Sequence, residues 1–188
     1  MRSDQPRLVV VTGGPGSGKS TLIDLLAAGG HARSAEAGRA IIRDQTAIGG
    51  PALPWGDRAL FAELMLGWEL RSYHAAQETA GPVFFDRGVP DVLAYLRLEG
   101  LPVPAHMRRA AERFRYARRV FLAPPWPEIY TTDTERKQTY EVAVQTYESV
   151  RATYLEYGYE PVPLPLVPPR ERAGFVLRSL PEIVGGDR

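Results

Sequence analysis

Residues Gly13 to Ser20 read GGPGSGKS, and the six residues before them, Arg7 to Thr12, read RLVVVT. The apolar run Leu8–Val11 is continuous rather than alternating, the pattern of a strand covered on both faces. Gly13, Gly18, Lys19 and Ser20 satisfy the spacing GxxxxGK[ST]. They stand between that strand and a segment whose apolar positions Leu22, Ile23, Leu25 and Leu26 predict a helix ending at Gly29-Gly30. In such a loop the glycines let main-chain N–H groups converge without Cβ interference, and the start of the next helix adds partial positive charge at the same point. Gly13, Gly14, Pro15, Gly16, Ser17, Gly18, Lys19, Ser20 and Thr21 therefore form a candidate phosphate cradle. Lys19 would reach the β- and γ-phosphates of a nucleoside triphosphate, ATP by expectation, and the Ser20 hydroxyl would ligate Mg²⁺.

Lysine at this position stands out against the composition. The chain has 21 arginines and two lysines, Lys19 and Lys137, so a compact ammonium is used where a planar guanidinium would not fit between phosphates. The other bulk quantities set limits. The 188 residues suit a single domain over 1–188. A formal charge of +1 gives no global field to draw in nucleic acid or an anionic membrane. The absence of cysteine removes disulfides and thiolate metal sites. No apolar run approaches the ~20 residues of a membrane span, and MRSDQPR lacks the order of a signal peptide. A cytoplasmic protein without a membrane partner is the expectation.

Further along, strands are expected near Arg33–Ala35, Val83–Asp86, Arg119–Ala123 and in the proline-interrupted YEPVPLP. Helices are expected over Glu36–Ile48, from Asp57 to about Thr79, Pro90–Glu99, Ala105–Ala117, about Thr132–Tyr157 and Arg170–Leu180. Thr132 and Glu135 have the spacing of a capping box, and Asp57 is placed to cap the longest of these helices. Strands alternating with helices five times over predict an α/β fold in three layers, a P-loop NTPase sheet of about five parallel strands with helices on both faces. Tyr140, Val144, Tyr147, Arg151 and Tyr154 are read as the stripe of their helix that covers the sheet.

The strand Val83-Phe84-Phe85 ends in Asp86, the position from which a carboxylate holds Mg²⁺ directly or through water, or else accepts the proton of an acceptor hydroxyl. The next residue is Arg87, where motor-type ATPases usually carry a glutamate to activate water. Arginine is no base, but it binds the phosphate or carboxylate of a second substrate in bidentate fashion. With no asparagine in the chain, the guanine-reading signature of Ras-like GTPases is absent. Kinase-like transfer to a small acceptor is the reading left, the acceptor expected to be a nucleoside, a nucleotide or a related metabolite.

The segments VVVTGGPGSGKSTL, EAGRAII, ALPWGDRALFAE, VFFDRGVPDVLAYL, VFLAPPWPEIYTTDTERKQTYEVA and YEPVPLP resemble a family of small bacterial P-loop proteins described as predicted ATPases within the AAA-domain collection. That family is similar in architecture to nucleoside, thymidylate and nicotinamide riboside kinases, which implies a kinase-type fold and ATP as donor. By the same resemblance, Glu36 and Arg39 sit where such kinases bind the acceptor, one helical turn apart. A surface ion pair is the alternative for these two. Trp55 and Asp57 stand where an acceptor ring could stack, against the alternative of a core tryptophan and a plain N-cap. Asp91 is a further acceptor-side candidate, although a first-turn carboxylate already has a structural reason. TDTERKQ falls where such kinases carry a lid, so Arg136 joins Lys19 and Asp86 as a catalytic candidate, with Lys137 beside it. The basic cluster Arg108, Arg109, Arg113, Arg115, Arg118 and Arg119 is read as a solvated surface rather than a nucleic-acid face. Two rivals to a small-molecule kinase stay open, a slow ATPase acting as a switch and a nucleotide-sensing module for a protein partner.

Overall fold

The computed structural model describes residues 7–129 and 139–185. The chain alternates strands and helices: β1 (Arg7–Gly13), α1 (Lys19–Ala28), β2 (Ala32–Arg33), α2 (Ala37–Ile48), α3 (Arg58–Ala76), β3 (Pro82–Asp86), α4 (Val89–Leu98) and α5 (Ala105–Arg113). Then come β4 (Arg119–Ala123), a 3₁₀ turn at Pro127–Ile129, α6 (Tyr140–Glu156), β5 (Glu160–Pro163) and α7 (Pro169–Gly185). The five strands form one sheet in the order β2-β3-β1-β4-β5, and each neighbouring pair is parallel. This is the three-layer α/β architecture that the sequence predicts.

Successive residues of a strand point to opposite faces, and the core divides accordingly. Leu8, Val10, Phe85, Val120 and Leu122 pack against helices α3 to α6 through Leu66, Leu93, Met107, Val150 and Tyr154. Val9, Val11, Phe84 and Phe121 face Leu22, Ile23 and Leu26 of α1 and Val176 of α7. Each buried aliphatic or aromatic side chain contributes on the order of 1.5–3 kcal/mol, which is why β1, β3 and β4 carry unbroken apolar runs. Those strands end together, so the loops after β1 and β3 meet at one edge.

Several expectations need correction. Strand β2 is two residues long and starts one residue before the expected segment. Helix α5 stops at Arg113, and α7 runs on to Gly185. The face that α6 buries is Ala143, Val150, Thr153 and Tyr154, whereas Val144 and Arg151 of the expected stripe are exposed. Residues Thr132 and Glu135 lie outside the described residues. The basic cluster, by contrast, lies at the surface as read: Arg108, Arg109, Arg113, Arg115 and Arg118 are exposed, Arg115 lies 4.0 Å from the Tyr159 ring centroid, and Arg118 and Arg119 both pair with Glu160.

Candidate functional site

The loop between β1 and α1 is built by backbone geometry. Gly13 approaches the end of β4 so closely that a Cβ there would stand 2.3 Å from the Ala123 carbonyl oxygen. Gly18 caps α1 in the left-handed region at φ 80, and α1 has no side-chain cap and no acidic residue in its first turn. Among the described residues, that first turn thus supplies no carboxylate to its own amides or to the positive end of its dipole. Lys19 is buried, and its Nζ donates to the Gly14 carbonyl at 2.6 Å and to Ser17 Oγ at 3.3 Å, so the ammonium is stored along the loop. Ser20 and Thr21 are exposed at the start of α1.

The C-terminal helix reaches this loop as well. Arg172 of α7 is 2% exposed. Its Nη1 donates to the Ser17 carbonyl at 2.7 Å, its Nε donates to the Pro165 carbonyl at 2.8 Å, and its guanidinium lies 4.7 Å from the Trp126 ring centroid. Burial lowers its pKa. The sequence reading passed over this arginine, since nothing local distinguishes it from the exposed Arg170 beside it.

Beside the loop, β3 ends in a group of charges. Asp86 is buried and its Oδ1 has no hydrogen-bond partner among the described residues. Burial raises its pKa above the ordinary aspartate range, with Glu36 and Asp91 adding to the effect and Lys19 and Arg87 opposing it. An orphaned, buried carboxylate oxygen at the end of this strand suits a hard cation. Arg87 follows at φ 76, a left-handed conformation that costs a non-glycine residue roughly 1–2 kcal/mol. It is held there by several bonds. Its N–H donates to Val11 O at 3.0 Å, its Nη1 donates to Gly13 O at 3.0 Å and approaches Asp91 Oδ1 at 3.4 Å, and its Nε lies 3.6 Å from Glu36 Oε1. Burial alone would lower the Arg87 pKa, but the Glu36, Asp91 and Asp86 carboxylates outweigh it and hold the value above that of ordinary arginine.

Asp91 is the hub of this group. Its Oδ2 accepts from Gly88 N at 2.9 Å and from the Tyr154 hydroxyl at 2.6 Å, and its Oδ1 accepts from the Thr12 hydroxyl. The next amide of α4, Val89 N–H, donates to the Tyr116 hydroxyl at 3.2 Å. Glu36 is the N-cap residue of α2, and its Oε2 lies 3.2 Å from Arg39.

A cavity of about 460 Å³ opens from the loop residue Pro15 and runs between α2, α3, α4 and α6. It gathers five of the sequence candidates, Pro15, Glu36, Trp55, Arg87 and Asp91, but neither Arg39 nor Asp57 lines it. Trp55 is 67% exposed at its rim, so it is not a core residue. Asp57 caps α3 by accepting from Leu60 N at 2.9 Å. Arg136 and Lys137 lie outside the described residues. The cavity also contains a carboxyl that the sequence reading missed, Glu69. Its signal was register: it falls on the buried face of α3 with Phe61, Ala62, Leu66 and Ala76.

Comparison with solved structures agrees with the sheet order. The chain is similar to the NadR protein solved in complex with NR, with TM-score 0.71 and 21% identity over 96% of this chain and 52% of that one. It is similar to deoxyadenosine kinase from M. mycoides, with TM-score 0.62 and 12% identity over 94% of this chain and 100% of that one. It is also similar to thymidylate kinase from Candida albicans, with TM-score 0.63 and 12% identity over 95% and 92% of the two chains. The chain spans about half the length of the NadR protein, and at these identities the likeness concerns the fold. No curated protein matches the sequence. Among the described residues, no helix is long and apolar enough to cross a membrane. A family model described as an AAA domain matches residues 8–172, from β1 to the arginine that α7 places under the phosphate-type loop, and the chain belongs to that family.

Proposed function

We propose that the protein is a Mg²⁺-dependent phosphotransferase that moves the γ-phosphoryl group of ATP to a hydroxyl of a small acceptor. The observation that carries this reading is the adjacency of two compartments: an uncapped helix start with its lysine, and an enclosed cavity beginning at Pro15 of the same loop. A hydrolase needs only a water beside its phosphate site, whereas a cavity of this size suits a second substrate. The similar structures include a deoxyadenosine kinase and a thymidylate kinase, which supports the same class.

In this reading the loop amides from Gly13 to Thr21 and the Lys19 ammonium hold the donor phosphates. Ser20 and Asp86 would hold Mg²⁺, which when bound neutralises charge on the phosphate oxygens. Glu36, which lines the cavity at its loop end beside Arg87, takes the proton of the acceptor hydroxyl as its oxygen bonds to the γ-phosphorus and the bond to the ADP oxygen breaks. Arg87 holds Glu36 in position, Trp55 stands at the acceptor's entrance, and Arg136 supplies the lid cation. Exclusion of water by the acceptor separates transfer from wasteful hydrolysis.

A metabolite-pool phosphotransfer screen read by mass spectrometry tests the proposal. Wild type should add one phosphoryl mass to a specific small molecule, and Lys19→Ala should lower that rate by about 10²–10³-fold. Stoichiometric ADP formation without acceptor, at a rate that no metabolite raises, would overturn it in favour of a slow ATPase.

A further inference from the structure

One wall of the cavity carries a group that phosphoryl transfer does not use. Glu69 of α3 is 3% exposed and lines the cavity, and among the described residues no hydrogen bond or ion pair reaches its carboxyl. A polar group buried in this way is costly unless something answers it. The charged and titratable groups around it are the carboxylates of Asp91, Asp86 and Glu36, the Arg87 guanidinium and the Tyr116 hydroxyl. Arg87 is already tied to Glu36, Asp91 and the Gly13 carbonyl, and the Tyr116 hydroxyl already accepts from Val89 N–H. Burial, then the neighbouring carboxylates, raises the Glu69 pKa well above the ordinary range, which favours the protonated carboxyl. A neutral carboxyl offers one donor and one acceptor side by side.

The rest of the cavity says what meets that pair. The rings of Phe61 and Tyr95, 5.5 Å apart and edge to face, form an apolar wall with Met65 on the same helix as Glu69. The Tyr95 hydroxyl is also buried without a partner among the described residues. At the loop end stand Glu36 and Arg87. Among the described lining residues Arg87 is the one cation, against the carboxylates of Glu36, Asp91 and Glu99. A phosphate entering there would meet carboxylates before it met an uncommitted cation.

We propose that Glu69 sets acceptor specificity, pairing its donor and acceptor with the edge of a planar heterocycle in which a ring nitrogen adjoins an amino group, on a molecule that carries a hydroxylated arm and no phosphate. The heterocycle lies against Phe61 and Tyr95, and the hydroxylated arm points to Glu36. The word acceptor rests on the phosphotransferase reading above; the binding site does not.

Calorimetry without ATP separates the two. Adenosine, cytidine and their 5′-monophosphates serve as probes of wild type, Lys19→Ala, Glu69→Gln and Glu69→Leu. The nucleosides should bind wild type and Lys19→Ala alike, and the monophosphates about 10-fold or more weakly. Glu69→Gln, which keeps a donor and an acceptor, should hold affinity within a few-fold, whereas Glu69→Leu should lose about 10-fold or more while raising the thermal midpoint. A merely structural glutamate would not give opposite signs in stability and binding. No binding by either nucleoside, equal binding of the monophosphates, or unchanged affinity in a folded Glu69→Leu would each overturn the proposal. Glu69-dependent binding without Lys19-dependent transfer would leave it standing and sink the phosphotransferase reading instead.

Discussion

The first turns of α1 and α4 follow neighbouring strands and open at the same edge of the sheet, yet they are finished in opposite ways. At α1 the cap is Gly18, which has no side chain to offer, and the nearest cation is a lysine folded onto the loop. At α4 the Asp91 carboxylate takes the N–H of Gly88, and the Tyr116 hydroxyl takes that of Val89. The second helix start is closed by the protein's own anion; among the described residues the first turn of α1 carries none. What differs is how many separate elements each carboxylate or ammonium secures, and therefore whether its loss is felt by the fold or by the ligand.

The comparison breaks most readily at Asp91. Asp91→Ala removes the acceptor of the Thr12, Gly88 and Tyr154 bonds and leaves Arg87 short of a counter-charge, so it should cost about 3–5 kcal/mol in urea unfolding. Lys19→Ala, by contrast, should stay within about 1 kcal/mol of wild type in the same measurement, because the bonds from its Nζ to Gly14 O and Ser17 Oγ lie within one loop. Equal losses in the two variants would erase the distinction.

The pH dependence of stability sharpens it. Glu69 has a folded pKa raised well above 4.5, so the fold binds its proton more tightly than the unfolded chain does. Its contribution is complete below the ordinary glutamate range and is lost as pH rises toward the raised value. Stability should therefore fall with rising pH across that window, by at most about 1.4 kcal/mol per unit for one group. Glu69→Gln should flatten the part of the slope that Glu69 contributes, leaving that of Asp86. An identical slope in the variant would mean that Glu69 is ionised in the fold.

The smallest effect is expected at the third helix start. Asp57→Ala removes a single cap bond to Leu60 N and should cost about 1 kcal/mol in chemical denaturation. A loss as large as that of Asp91 would show that a simple cap and a multi-element hub cannot be told apart by counting bonds.

The sheet was legible because its strands are short, apolar and bounded by turn residues: Arg119–Ala123 was read with both ends in place, and β1 and β3 with their loops. Helix faces were less so. Leu60 and Leu64 are apolar yet exposed, while Glu69 is charged yet buried, because a helix wedged between a sheet and a cavity is ranked by what it faces and not by hydropathy. Asp91 was found as a candidate, but its partners Thr12 and Tyr154 lie 79 and 63 residues away, a separation that no local pattern encodes. Trp55 was weighed toward the core for its size, and the loop before α3 instead holds it at the cavity rim.

The bond from Arg172 to Ser17 spans 155 residues. During synthesis at ~5–20 residues per second, the loop that it braces waits about 8 to 30 s for its brace to be made. A ribosome-bound chain of this protein therefore carries the opening sequence of its nucleotide site long before it carries the clamp. Affinity for nucleotide should therefore arrive late, once the helix that carries Arg172 has formed.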